Sequence, residues 1–218
     1  MSAEHLSPAV YDSEITNEPP AEPASNTPEV SRCLYPGATF RGSQKSGRKR
    51  YDANMTIIDV DLASSHLSGH LCIHGLTDEW PELTTYFDAE IIGPQYGFLT
   101  RKWGATEAED MVHWKRFPAF KRVLDELEQP DLTRRDAVGG GVVFMRWKEK
   151  YVVSDCGTQD IEGASYAGFY YICIDSSPQQ ARSGVATDGI SGNASLSGFY
   201  FHKHSEPYQQ LSLVHVPE

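Results

Sequence analysis

Val143-Phe144-Met145-Arg146-Trp147-Lys148-Glu149-Lys150-Tyr151-Val152-Val153 is the stretch whose reading decides the fold. In a β-strand, alternate side chains share a face. Val143, Met145, Trp147, Glu149, Tyr151 and Val153 then form one face, and Phe144, Arg146, Lys148, Lys150 and Val152 the other. The first face is apolar around a single carboxylate; the second is mostly cationic. A carboxylate among buried neighbours is costly unless something pairs with it. A protein cation, a cluster of hydroxyls or a ligand would each serve, and a strand end open to solvent is the plain alternative.

Strands surround this one. Tyr51 to Leu62 is strand-like, with a phase change between Ile57 and Ile58 that predicts a β-bulge. From His66 to Gly75, Leu67, Gly69, Leu71 and Ile73 share one face, while His66, Ser68, His70, Cys72 and His74 share the other. Thr85, Phe87, Ala89 and Ile91 make another one-sided strand. Further strands are expected near Ser165–Ile174, Gly198–Lys203 and Gln209–Val216, with a Ser/Gly-rich loop over Ser176–Ser195. Phe40 to Gly47 reads as a polar loop or a short strand and turn. A helical insert spans about 106–129. Thr106 and Glu109 suit a capping box, and Pro118 suits a first turn leading into Phe120, Val123, Leu124 and Leu127, with Pro130 as the stop. Seven or eight short antiparallel strands predict a mainly β domain, a closed barrel or a sandwich, over residues 31–218. A barrel of about eight strands can hold one small ligand at its mouth. Residues 1–30, rich in Pro, Glu, Ser, Ala and Thr, bury too little to offset chain entropy and are expected to be a disordered tail.

Composition narrows the function. A net charge of -11 argues against general nucleic-acid binding. No run approaches the length of an apolar membrane span, so no direct membrane insertion is expected. The four cysteines form no C-x-x-C pair, which favours reduced thiols in the cytoplasm or nucleus. His66, His70 and His74 are spaced four apart on a strand, so neighbours stand about 13 Å apart, too far to share an ion. No metal or cofactor is expected. Gly163-Ala164-Ser165-Tyr166-Ala167 lacks the second glycine of a nucleophile elbow, and Gly139-Gly140-Gly141 lacks the Lys-Ser/Thr of a phosphate loop. Glu149 with Asp155 or Asp160 would be the carboxylate pair of a hydrolase, but acidic residues near strand ends are ordinary. Ser165, Tyr166, Tyr170, Tyr200 and Gln209, from the strands that follow Glu149, fit better with a pocket for a cationic amine attached to a peptide.

Several motifs, in order, carry a resemblance. They include Gly75-Leu76-Thr77, Leu83-Thr84-Thr85-Tyr86-Phe87, Glu90-Ile91-Ile92-Gly93, Phe98-Leu99-Thr100, His113-Trp114, Phe144 to Glu149, Asp160 to Ile172 and His215-Val216-Pro217-Glu218. From about Cys33 to its last residue the chain resembles the vacuolar-import-and-degradation family, the substrate receptors of the GID/CTLH ubiquitin ligase. The resemblance implies an antiparallel eight-stranded β-barrel with helical insertions and no catalytic activity. It implies recognition of an N-terminal proline, the Pro/N-degron, and in fungi the destruction of gluconeogenic enzymes. It also implies docking on an armadillo-repeat scaffold subunit. By position, Glu149 and Tyr170 would hold the terminal amine, and Ser165, Gln44, Tyr200 and Gln209 the following peptide. Ile73, Leu76, Leu83 and Tyr166 would wall the proline ring. Ala53 stands where a larger aliphatic residue is usual, so a roomier floor is expected. The family continues past the position of Glu218 into a tail, so peptide binding is expected to be separable from scaffold docking. A lipocalin-like barrel carrying a small hydrophobic ligand is the alternative, which an internal anion disfavours.

Overall fold

The computed structural model describes residues 32–76, 81–153, 167–176, 193–203 and 209–217. The expected tail over 1–30 and most of the expected loop over 176–195 lie outside them. Eight antiparallel strands close a barrel in sequence order: β1 (Thr39–Ser46), β2 (Lys49–Asp61), β3 (His66–His74), β4 (Glu82–Ile91), β5 (Val142–Val152), β6 (Phe169–Asp175), β7 (Ser195–Phe201) and β8 (Gln209–Val216). β8 pairs back onto β1, Thr39 opposite Val216 and Ser46 opposite Gln209. The sandwich is thereby excluded.

Alternation builds the interior. Met55, Leu71, Phe87, Met145, Trp147, Ile172 and Leu213 are among the side chains that fill it. β2 carries the expected bulge: the register against β3 slips between Ile57 and Asp59, leaving Ile58 out of step and exposed. β5 carries a bulge that the alternation did not foretell. Tyr86 faces Tyr151 and Phe87 faces Glu149, so Lys150 is the extra residue. The phase flips there. Val152 turns inward, whereas Tyr151 and Val153, read above as part of the apolar face, are exposed. Glu149 is the last inward residue before the flip.

The second face of β5 is also corrected. Phe144 and Arg146 are as buried as the inner residues. The insert between β4 and β5 lies over them and over the outer side of β6, where Phe169, Tyr171 and Cys173 join Phe98, Trp114, Phe117 and Phe120 in a second core. Helix α1 (Glu107–Trp114) has the full capping box, Thr106 accepting from the Glu109 amide and the Glu109 carboxylate accepting from the Thr106 amide. The second predicted helix is shorter than expected. α2 is one turn, Phe120–Val123, followed by a 3-10 turn, Leu124–Glu126. Leu124 is exposed, while Phe120, Val123 and the half-buried Leu127 anchor that segment, and Glu128 pairs with Thr133. Pro118 precedes the helix rather than opening it.

β1 is a full strand, although Phe40 to Gly47 reads as a polar loop or short strand. Its inward phase, Phe40-Gly42-Gln44, offers one apolar side chain, one glycine and one amide. Gly42 is there for close approach, since a Cβ on it would stand 2.1 Å from the Ser212 carbonyl oxygen of β8.

Candidate functional site

One end of the barrel is where β1, β3, β5 and β7 finish and β2, β4, β6 and β8 begin. Glu149 points inward there from the last turn of regular β5, only 6% exposed. The β4–β5 register puts it opposite Phe87 and two residues from Thr85 along β4. The Thr85 hydroxyl donates to Glu149 Oε1 at 2.6 Å and is also 3.4 Å from the Leu71 carbonyl oxygen. A hydroxyl has one proton, so the carboxylate receives it. Among the described residues no salt bridge reaches Glu149. Burial pushes its carboxyl up to about 7; the Thr85 hydroxyl and the neighbouring Lys148 pull the other way without cancelling it.

A chain of polar groups crosses the same end. The Tyr170 hydroxyl donates to Gln44 Oε1 at 3.1 Å, and Gln44 Nε2 donates to Gln209 Oε1 at 3.2 Å. Gln44 is buried, although glutamine seldom is. Tyr170 and Tyr200 are register partners on β6 and β7, with ring centroids 5.1 Å apart edge to face. Burial first, then the Glu149 charge, holds the Tyr170 phenol well above its ordinary range, so it stays a donor. The Tyr200 hydroxyl accepts from the Gly168 amide at 2.8 Å. A Cβ on Gly168 would meet that same oxygen at 2.7 Å, so glycine is needed for the contact. Lys148 leaves the outer face of β5 to donate to the carbonyl oxygens of Ala167 and Gly168, tying down the entry to β6.

The apolar side of this end comes from the β3–β4 hairpin. Ile73 and Leu83 are register partners and both buried. Leu76 is half-buried against the inner core. Ala53, opposite Ile73 on β2, is fully buried. Trp147 stacks on Phe87 with centroids 4.2 Å apart, and its indole N–H is buried without a hydrogen-bond partner among the described residues.

The structure therefore gathers Glu149, Tyr170, Gln44, Tyr200, Gln209, Ile73, Leu76 and Leu83 at one mouth. Ser165 and Tyr166 lie outside the described residues. Tyr170 spends its hydroxyl on Gln44 rather than on Glu149. Thr85, the group that does touch the acid, was not singled out as a site residue. Its signal was a hydroxyl in the inward phase of an otherwise apolar strand, Leu83-Thr85-Phe87-Ala89-Ile91. A separate cavity of about 760 Å³ lies between the insert and the Gly139–Gly140 turn, lined by charges of both signs such as Arg122, Arg134, Asp125 and Glu128. It shares no residue with the mouth.

A closed antiparallel barrel with an acid-centred polar mouth is the class that fold and site define. The chain belongs to the family described as vacuolar import and degradation protein, whose model matches residues 33–216. It is 45% identical over 185 residues to a Mus musculus protein named glucose-induced degradation protein 4 homolog, covering 85% of this chain and 78% of that one. It is 34% identical over 191 residues to the Schizosaccharomyces pombe protein named GID complex substrate-recognition subunit 4, covering 83% and 89%. The Saccharomyces cerevisiae protein of that name is 32% identical over 238 residues, covering 83% of this chain and 62% of its own length.

Proposed function

We propose that this chain is the substrate-recognition subunit of a GID-type ubiquitin ligase, a non-catalytic receptor that takes the N-terminal proline of its targets into the barrel mouth. The names of its relatives support the receptor role. The observation that carries the proline reading is Glu149, a buried acid that, among the described residues, is met by one hydroxyl and by no salt-bridging cation. An N-terminal proline is an ammonium fused to an apolar ring. The ammonium supplies the missing charge, and Ile73, Leu76 and Leu83 stand where an apolar ring needs cover. A charge-assisted hydrogen bond of this kind contributes about 1.5–3 kcal/mol. The Gln44–Gln209 pair offers amide donors and acceptors to the peptide that follows. A fatty ligand has no use for the acid, which counts against a lipid-carrying barrel.

Gluconeogenic enzymes are the proposed targets and an armadillo-repeat subunit the proposed scaffold, both on family resemblance. The proposed location is the cytoplasm, with the nucleus as a second compartment. That is in keeping with the free thiols Cys33, Cys72 and Cys173. Calorimetric titration with a Pro-starting peptide and its N-acetylated twin tests the reading. Binding of the first alone is expected. Equal binding of both, or of neither, overturns it.

A further inference from the structure

The linear spacing of His66, His70 and His74 rules out an ion shared among them, but it says nothing of neighbours across the sheet. On the outer surface of the β3–β4 hairpin, Cys72 and His74 stand two residues apart on one strand face. Glu82 is directly opposite His74 on β4. One donor atom from each of the three lies within 4.8 Å of the other two. Cys72 Sγ is 3.6 Å from His74 Nε2, the ring nitrogen one ion would take; the opposite nitrogen, Nδ1, is the one 3.8 Å from Glu82 Oε2.

Those distances have a chemical meaning. Zinc–sulfur and zinc–nitrogen bonds of about 2.3 and 2.0 Å at a tetrahedral angle set the two ligand atoms roughly 3.5 Å apart. The Cys72–His74 pair already has that separation before any ion is considered. A thiolate, a carboxylate and a neutral imidazole also sum to two negative charges, the complement of a divalent cation. Their mixture of soft and borderline donors favours zinc over magnesium or calcium, which take oxygen ligands.

We propose that Cys72, His74 and Glu82 form a binding site for a borderline divalent cation of the zinc type, with water as the fourth ligand. Asn54, opposite Cys72 on β2, meets His74 Nε2 through its amide nitrogen at 3.0 Å. It must give up that contact as the ion takes the ring nitrogen. The exchange is of one half-buried neutral hydrogen bond for a metal–imidazole bond. Burial, with the Glu82 carboxylate adding to it and the Thr84 hydroxyl opposing, keeps the Cys72 thiol protonated in the absence of a cation. The ion therefore displaces that proton to solvent. The bound ion ties β3 to β4 at the end of the hairpin whose inner residues, Ile73 and Leu83, line the mouth. The site stands independently of what the mouth binds.

The test is a titration of the full chain with cobalt(II) under a thiol-free reductant, followed by absorption. A near-ultraviolet thiolate-to-cobalt band and intense visible bands of a tetrahedral ion are expected, both bleached by added zinc. Cys72→Ser should abolish the thiolate band, and Cys156→Ser should leave it. Cys33 and Cys173 are buried in the two cores and supply no competing thiolate. Glu82→Gln, at an exposed position, should weaken cobalt binding at least about tenfold without moving the melting temperature. No thiolate band at saturating cobalt overturns the site. So does a band that survives Cys72→Ser, or one that is lost in Cys156→Ser.

Discussion

Asp110 and Glu149, two of the carboxylates buried among the described residues, lie on opposite sides of the same sheet and are treated differently. Asp110 sits between α1 and the outer face of the barrel. It accepts from the Thr100 amide at 2.7 Å, the Thr100 hydroxyl at 2.5 Å and the Tyr171 hydroxyl at 2.8 Å. Nearby, Arg146 donates to Glu90 and to the Gly97 carbonyl oxygen, and Lys102 also pairs with Glu90. Every charge there is answered within the fold. Glu149, inside the barrel, has the Thr85 hydroxyl and no cation among the described residues. A saturated buried acid pins an insert to a sheet. An under-supplied one is what the proposed ammonium would complete.

The contrast can be broken by substitution. Asp110→Asn should be the most damaging change. Three donors lose a charged acceptor and the new amide adds donors where none are wanted, a loss of roughly 3–5 kcal/mol. Denaturant unfolding measures it, and a loss under 1 kcal/mol would mean that Asp110 is no structural hub. Peptide affinity of the folded fraction should be unchanged. Glu149→Gln should do the reverse. Pro-peptide affinity should fall by about 1.5–3 kcal/mol, some tenfold to more than a hundredfold, while the barrel stays folded. Unchanged affinity in calorimetry would sink the assigned role.

Acidity sharpens the same comparison. Folding raises the Glu149 carboxyl from 4.5 to about 7. Between those values the unfolded chain is ionised and the folded one is not, so Glu149's contribution to stability is full below about pH 4.5. It is lost as pH rises to about 7, and the total loss is up to about 3 kcal/mol. Comparing unfolding of the native chain and Glu149→Gln at pH 5 and pH 8 isolates that term, because the other titrating groups cancel in the difference. The native chain should lose more. Binding runs the other way: affinity for the ammonium should weaken as pH drops below about 7, approaching tenfold per unit. A flat affinity profile from pH 8 to pH 5.5 would contradict it. Tyr170→Phe should be the mildest. It removes one hydroxyl from Gln44 and keeps the ring against Tyr200, so a loss of about 0.5–1.5 kcal/mol in peptide affinity is expected. A loss equal to that of Glu149→Gln would show that Tyr170 holds the amine directly.

The sequence carried the interior better than the exterior. Leu67-Gly69-Leu71-Ile73 and Thr85-Phe87-Ala89-Ile91 alternate as strands with one buried face should, and two adjacent isoleucines betrayed the bulge in β2. The bulge in β5 left no such mark, since Lys150 and Tyr151 are both at home on a surface. Arg146 reads as solvated because a lone arginine nearly always is; its burial depends on Glu90, Gly97 and an insert whose docking no local pattern reveals. At the mouth, the inward phase gave away Glu149, the last strands offered Gln209, and resemblance drew attention to Gln44. Thr85 escaped because threonine is common in strands, and its meaning comes only from an oxygen 64 positions further along the chain.

The pairing of β1 with β8 also sets a timetable. Residues of the opening strand, Thr39 to Ser46, find their second partner only in Val216 to Gln209. On the ribosome the first seven strands emerge as an open sheet with two unsatisfied edges, and neither can be sealed until β8 has been made. Contacts so far apart along the chain slow folding, and unpaired edges invite other chains to pair with them. The newly made chain is thus most vulnerable in the interval just before β8 clears the exit tunnel, and a nascent chain stalled there would be expected to recruit chaperones.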